Sequence, residues 1–474
     1  MKEPSDRLMV YTGAPTVGHG RTILTTMCAE LFKRFIFWCV APLLMMSTAV
    51  FGEEKSPYER ISGRLFVQAD VSSRTKEYSS LNQNSNRVYG ASADSTWLVV
   101  VDGNEKKKYD RLGLGSLVFS RDRKRVAYVA RTGNKQLVVV DGKEGKPYDG
   151  ITAGGPLFSP DSKRVAYGAT AVDKRFVVVD GKEGKKYDRL GLGSLVFSPD
   201  SKQVAYAAEA DHKRFVVVDG KEAKRYNRIG ASGPVFSPDS KHVAYGASAG
   251  SSWFVVVDGK EGKRHDSIGT GGPLFGPDSK RVAYIAESGN KQFVVVDGKE
   301  GKPYDGIAES APVYSPDSKR VAYVAKTGDK QFVVVDGNEA KKYDVVAAST
   351  PVFSPDSKHM AYVAEADNGR FVVIDGNEEK PYDRIGVGSP LFSPDSKHVA
   401  YVAEEGDKWF VVVDGEEGNH YNGVATLEAA KTVSGSFDSL CCFCVEDNGI
   451  YLVEVKASSI VRVPDDGHTG SSEP

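Results

Sequence analysis

The chain of 474 residues carries 62 basic and 63 acidic side chains, a formal net charge of −1, and 49 glycines. At roughly 150 residues per domain, this length fits about three domains. The even charge balance excludes a basic nucleic-acid clamp or an acidic disordered tail as the main theme, while an apolar content of 40% can bury large cores.

The first readable segment runs from Phe35 to Ala49, FIFWCVAPLLMMSTA, preceded by Lys33 and Arg34 and followed by Glu53 and Glu54. A basic flank, an apolar stretch and a small-residue exit are the parts of a secretory signal. Cleavage after Gly52 fits this pattern, with Val50 as the other small residue at the site. A spanning helix wants about 20 apolar residues, so a retained anchor is the weaker alternative. Residues 1–26 do not look like a signal, and Met27 is an alternative start. The expectation is export to a periplasmic or extracellular space, with membrane contact only through an uncleaved signal.

From about residue 97 onward a single period dominates. An Asp-Gly pair closes an apolar run with Gly at 103, 142, 181, 220, 259, 298, 337, 376 and 415, every interval being 39 residues. The string Ser-Pro-Asp-Ser-Lys keeps the same spacing from Ser159 to Ser393, with Gly276 replacing one Ser and a worn copy, SRDRK, at Ser120. One unit reads as Pro156–Ser159, a tight turn, Arg164–Ala169, a polar loop over Thr170–Lys174, and Phe176–Val179. A turn over Asp180–Lys185 then leads to a charged outer strand, Tyr187–Leu190, which closes the unit. Strands apolar on both faces need cover on both faces, so such units fold only as a stacked array. Four short antiparallel strands per unit describe an all-β fold, the β-propeller.

Counting inner strands gives about ten units over 53–457, between an extension and signal (1–52) and a C-terminal tail (458–474). In the first unit Leu65-Phe66-Val67 is followed by an insertion of about 70–85, then Arg87–Ser92 and Trp97–Asp102. At the far end Phe437-Asp438-Ser439 and Ile450–Val453 read as a unit lacking its outer strand, which Tyr58-Glu59-Arg60-Ile61 resembles in sequence. The expectation is one ring of ten closed by this N-terminal strand; an open or two-ring arrangement is the alternative.

The string Phe-Ser-Pro-Asp-Ser-Lys-Arg-Val-Ala-Tyr at 158–167 resembles the repeat of TolB-like propellers, also called PD40 or WD40-like. The resemblance covers nearly all of 63–455 and implies the propeller fold. Its functions are diverse: periplasmic binding scaffolds, gating domains of prolyl oligopeptidases and others. Here Ser162 and its equivalents stand where the family uses a turn Gly. No α/β-hydrolase domain with a G-x-S-x-G elbow follows the repeats.

Candidate chemistry is sparse. His242, His359 and His398 share a slot with Arg164 and Arg281, His265 replaces Tyr187, His420 replaces Lys186, and His212 lies in a loop. Residues exchangeable with Arg, Tyr or Lys read as surface or packing positions rather than as catalytic bases. A Glu follows every Asp-Gly turn, from Glu105 to Glu417, and reads as solvated or paired with a neighbour such as Lys182 or Lys185 rather than as part of a calcium loop. Cys441, Cys442 and Cys444 read as packed strand residues, Cys442 and Cys444 on one face, too few thiols for a Cys₄ zinc site. Hence no catalytic, metal or cofactor residues are assigned.

Trp97, Trp253 and Trp409 occupy the slot held elsewhere by Arg175, Arg214, Arg370 or Gln, just before a buried Phe. Exposed Trp at one height of a ring could grip a protein or stack on sugars. The loops Gly191-Leu192-Gly193-Ser194 and Glu209–Arg214 would frame such a surface. The chain therefore reads as an exported, non-enzymatic scaffold for a protein partner, with no nucleic acid. A lectin-like or cell-wall glycan binder and an enzyme with a site in the channel are the alternatives.

Overall fold

The computed structural model describes residues 58–61, 78–81, 87–93, 96–101, 104–430, 439–446 and 449–456, except 114–115, 309–311, 348–350, 367–368, 387 and 389, with side chains described from 107 to 424. These residues form ten antiparallel sheets, one after another along the chain. The proposed signal, the strand at Leu65–Val67 and the C-terminal tail lie outside them.

Each unit is built on one hairpin. In the unit around Tyr167, Val165–Ala171 pairs with Lys174–Val179, and Tyr167 lies opposite Val178. Val172 and Asp173 at its tip both have positive φ, 48° and 63°. Two positive-φ residues match the right-handed twist of the flanking strands, so the tip is two residues long, shorter than the expected loop over Thr170–Lys174. Asp180 and Gly181 make a second such turn at φ 51° and 79°, and Lys182–Glu183 returns as an edge strand rather than as turn.

The opposite edge is split. Gly150–Ile151 pairs with Ala169 and Thr170, and Leu157–Phe158 pairs with Val165 and Ala166. A loop bulges out between the two short segments. Counting this split edge as one strand, each sheet has four.

The expected outer strand Tyr187–Leu190 does not close its unit. Tyr187 bridges back to Arg175 in its own sheet, whereas Arg189–Leu190 pairs with Glu209 and Ala208 of the next. The chain crosses between sheets at Asp188, where one paired residue before it and two after it satisfy the backbone without a longer linker.

The core lies between sheets, not within them. Phe176 and Val178 point to one side, into a cluster with Ala127, Val138 and Tyr148 of the preceding unit. Val177 points to the other, with Tyr187, Tyr206 and Phe215. Each inner strand thus serves two cores, and each buried Val or Phe contributes on the order of 1.5–3 kcal/mol that a lone unit would forfeit. This stacking of four-stranded sheets is the blade architecture of a propeller repeat.

At the ends, Tyr78–Leu81 pairs with Arg87–Ala93, so part of the expected insertion is the edge of the first sheet. Tyr58–Ile61 pairs with Gly449–Lys456, Ile61 opposite Leu452, and the last sheet runs Tyr58–Ile61, Gly449–Lys456, Ser439–Glu446, Gly423–Ala430.

Candidate functional site

Among the described units, one end recurs as a joint, here at Ser159–Arg164. Ser159 Oγ donates to Asp161 Oδ1 at 2.6 Å and accepts from Arg164 N at 2.9 Å, shaping the turn. Ser162 sits at φ 65° and is buried. Its hydroxyl accepts from Asp122 N in the preceding unit at 3.0 Å, which explains a residue with a side chain where Gly would be less strained. Asp180 Oδ1 accepts from Val165 N at 2.9 Å, and its Oδ2 takes Arg164 Nε at 2.9 Å. Arg164 Nη1 then donates to Ser201 O and Lys202 O of the next unit, at 3.1 and 2.7 Å. Hydrogen bonds from the Ser hydroxyl and the Lys backbone hold the turn carboxylates below their usual range, Asp239 and Asp356 at about 2.

Three of the histidines fit this joint. His242 and His359 Nδ1 lie 2.6 Å from Asp258 and Asp375, in the place of Arg164, and His398 contacts Asp414 likewise. His265 is fully buried, edge-on to Tyr284 and Phe293 at 6.0 and 5.5 Å. It stands where Tyr187 packs on Tyr206 and Phe215. Burial lowers the His265 pKa, partly offset by Glu300.

The turn glutamates pair across units rather than with Lys182 or Lys185 of their own turn. Lys146 reaches Glu183, and Lys185 reaches Glu222, both at 2.6 Å. The same ladder continues from Lys224 to Glu261 and from Lys380 to Glu417, at 2.7 Å each. Tyr148 and Tyr382 Oη donate to the same Glu183 and Glu417, at 3.3 and 3.1 Å. Among the described residues no group of three or more His, Cys, Asp or Glu could hold a metal ion.

The other end differs from unit to unit. Trp253, Trp409 and Arg175 are half-buried, while Arg214 and Arg370 are exposed. Arg214 Nε pairs with Glu209 at 3.0 Å and Arg370 Nε with Glu365 at 2.7 Å, directly across the hairpin. Trp253 lies opposite Ser248, which is buried. Backbone pairing places Trp97 opposite Ser92, but its side chain lies outside the described residues. The structure does not bring these residues together: Trp253 and Trp409 sit in separate sheets, with three sheets between them. The cysteines occupy the Ser439–Glu446 strand, with Cys442 opposite Val453; their packing lies outside the described side chains.

The glutamines in this slot have a role that sequence reasoning missed. Gln136, Gln292 and Gln331 Oε1 accept from Ile151, Ile307 and Val346 N, at 2.7, 2.8 and 3.0 Å. The available signal was the recurrence of Gln in a slot that elsewhere holds Arg or Trp. Conversely, the letters Gly246-Ala247-Ser248-Ala249-Gly250 spell G-x-S-x-G, yet they run along a β-hairpin and hide Ser248, the opposite of an exposed nucleophile elbow.

A cleft of about 220 Å³ opens at this end, beside Ser267–Gly272. Ile268, Ile285, Ile307 and Pro312 line it, with Glu287 and Gln292.

No family model and no curated protein matches the chain. Among solved structures, a eukaryotic initiation factor aligns at 10% identity over 62% of this chain and 84% of its own, with a TM-score of 0.37. A putative TolB from Agrobacterium tumefaciens aligns at 15% identity, over 50% and 93%, with a TM-score of 0.24. The Dos1 propeller aligns at 10%, over 72% and 90%, with a TM-score of 0.30. The strand pairing of the ten sheets, rather than these alignments, defines the fold.

Proposed function

We propose that the protein is an exported, non-enzymatic scaffold that binds a protein partner at its hairpin tips and the loops beside them. The observation that carries this reading is where the units differ. The joint end repeats Ser-Pro-Asp-Ser-Lys almost without change, while the tips read Ala171-Val172-Asp173, Ala210-Asp211-His212, Ala249-Gly250-Ser251 and Ser288-Gly289-Asn290. Framework positions stay fixed and solvent-facing ones vary, as expected where a scaffold presents a surface rather than one repeated catalytic group. Two apolar side chains are held in solvent there, Val172 at 85% and Leu192 at 69% exposure. The tips are tied to the strand crossings beside them: Asp188 Oδ2 accepts from Asp211 N at 3.1 Å, and Asp188 Oδ1 pairs with Lys174.

A single ring of ten 39-residue units accords with the pairing of Tyr58–Ile61 on the last sheet. Only residues 62–77 connect that strand to the first sheet at Tyr78. Such a segment reaches about 60 Å at most, whereas ten flat-stacked sheets would span about 90 Å at roughly 10 Å per step.

The test is a footprint. A protein captured at one-to-one stoichiometry from the exported fraction should slow amide exchange at 170–175, 209–214 and 191–194 and leave 161–164 unchanged. Protection confined to 161–164 would overturn the proposal. The half-buried Trp253 and Trp409 favour a second reading, glycan stacking; saturable glycan binding lost in Trp253→Ala would select it.

A further inference from the structure

We propose that the cleft beside Ser267–Gly272 seats an arginine side chain of the protein partner, with Glu287 as its counter-charge. This rests on the scaffold reading above and names the chemistry of one contact. The argument begins with a difference between sister units. Wherever else this chain places Glu at the corresponding position, an arginine covers it: Arg214 on Glu209 at 3.0 Å, Arg370 on Glu365 at 2.7 Å, and Arg384 on Glu404 at 3.3 Å. Among the described residues, no arginine covers Glu287. Its cross-strand neighbour is Gln292, whose Oε1 is turned away to Ile307 N of the next unit. Among the described residues, the side-chain contact of Glu287 is a long one, Ser267 Oγ to its Oε2 at 3.4 Å.

The cleft leaves part of its aliphatic floor uncovered. Ile285 is half-buried, whereas the corresponding Val324, Val363 and Val402 are buried. An aliphatic floor of Ile268, Ile285 and Ile307 ends at one half-buried carboxylate. That suits a side chain with an apolar stem and a charged, planar head. Arginine is favoured over lysine because the forked guanidinium can hold a carboxylate through two parallel hydrogen bonds. The molecule supplies its own precedent, since Arg214 and Arg370 place a guanidinium against the same Glu in sister units.

The experiment titrates N-acetyl-arginine methylamide into the full chain with labelled isoleucine methyl groups, using the uncharged citrulline analogue as control. The arginine probe should shift Ile268, Ile285 and Ile307 saturably, with citrulline weaker by about tenfold, the value of one charge-assisted bond. Glu287→Gln should abolish the difference between the two probes. Gln292→Arg, which copies Arg214 and Arg370, should fill the cleft and block both. Equal binding of arginine and citrulline, or an unchanged titration in Glu287→Gln, would overturn the assignment. If either occurs while a captured partner still protects 170–175 and 209–214, the arginine seat is lost and the scaffold stands.

Discussion

The hydroxyl of Ser201 accepts a 2.9 Å hydrogen bond from the backbone N–H of Asp161, forty residues earlier in the chain. Ser201 is buried and holds φ at 65° to do so. Ser201→Ala should therefore keep the backbone strain while leaving Asp161 N without its partner, a loss of about 2 kcal/mol. Ser201→Gly relieves the strain and should lose about half as much. Denaturant unfolding of the two variants checks the order; a Gly variant less stable than the Ala variant would contradict this account of the turn.

The unit with Gly276 lacks the Ser that elsewhere shapes the joint. There Asp278 Oδ1 is left to accept from Lys280 N and Arg281 N alone. A Cβ at Gly276 would meet Asp278 Oδ1 at 3.1 Å and Ser318 Oγ at 3.4 Å, close to where the hydroxyl of a sister Ser donates. Gly276→Ser is expected to add about 1 kcal/mol, as one hydrogen bond regained, read as a higher midpoint in the same denaturation assay.

His265 gives the array one acid-sensitive contact. Its folded-state pKa is lowered by burial, so between that value and its unfolded value of about 6.5 the unfolded chain binds more protons than the folded one. Stability is then full above about pH 6.5 and falls as pH drops through that window. Thermal unfolding between pH 8 and 5 should show the decline in the wild type. His265→Tyr, which restores the sister residue, should flatten it.

The joint carboxylates titrate lower. Asp161, Asp200, Asp239, Asp317 and Asp356 are each held below their usual value, first by the Ser hydroxyl and then by the Lys backbone N–H. A depressed carboxylate contributes stability above its unfolded pKa of about 4 and loses it as pH falls toward the folded value. Acid unfolding should thus centre between about pH 4 and 2. Asp239→Asn should weaken that dependence, since its side chain no longer ionises.

Deleting 199–237 joins Ser198 to Pro238 and removes one whole period. Every cross-unit contact finds a sister residue in the same register, so the variant should fold. If ten units close a ring, the shortened chain cannot seat Tyr58–Ile61 on Gly449–Lys456 without strain, and amide protection at 450–455 should fall. Unchanged protection there would favour an open arrangement.

Much of this was legible from the sequence because periodicity is a global signal. The buried Val177-Val178 strand, the Asp-Gly turn and the terminal strand Tyr58–Ile61 follow from pattern alone. Where the chain leaves one sheet for the next was not legible. Tyr187 and Leu190 are both apolar-leaning residues in one short run, and only pairing tells that Tyr187 bridges Arg175 while Leu190 pairs with Ala208. Contacts at the 39-residue scale were equally hidden. Lys146 lies nearer in sequence to Glu144 than to Glu183, yet it reaches the latter because stacking sets the geometry. At the candidate surface, Glu287 gained meaning only once Arg214 and Arg370 were seen covering its sisters.

The crossing at Asp188 also bears on how the molecule would carry tension. Tyr187 is tied to its own hairpin and Arg189–Leu190 to the neighbour's, so the covalent chain itself is the seam between adjacent sheets. A pull along the chain would load these short pairings one after another, and no sheet could be withdrawn whole without unpicking its neighbour. Under an optical trap, extension should proceed in steps of one repeat, each releasing a hairpin and exposing the edge that held it.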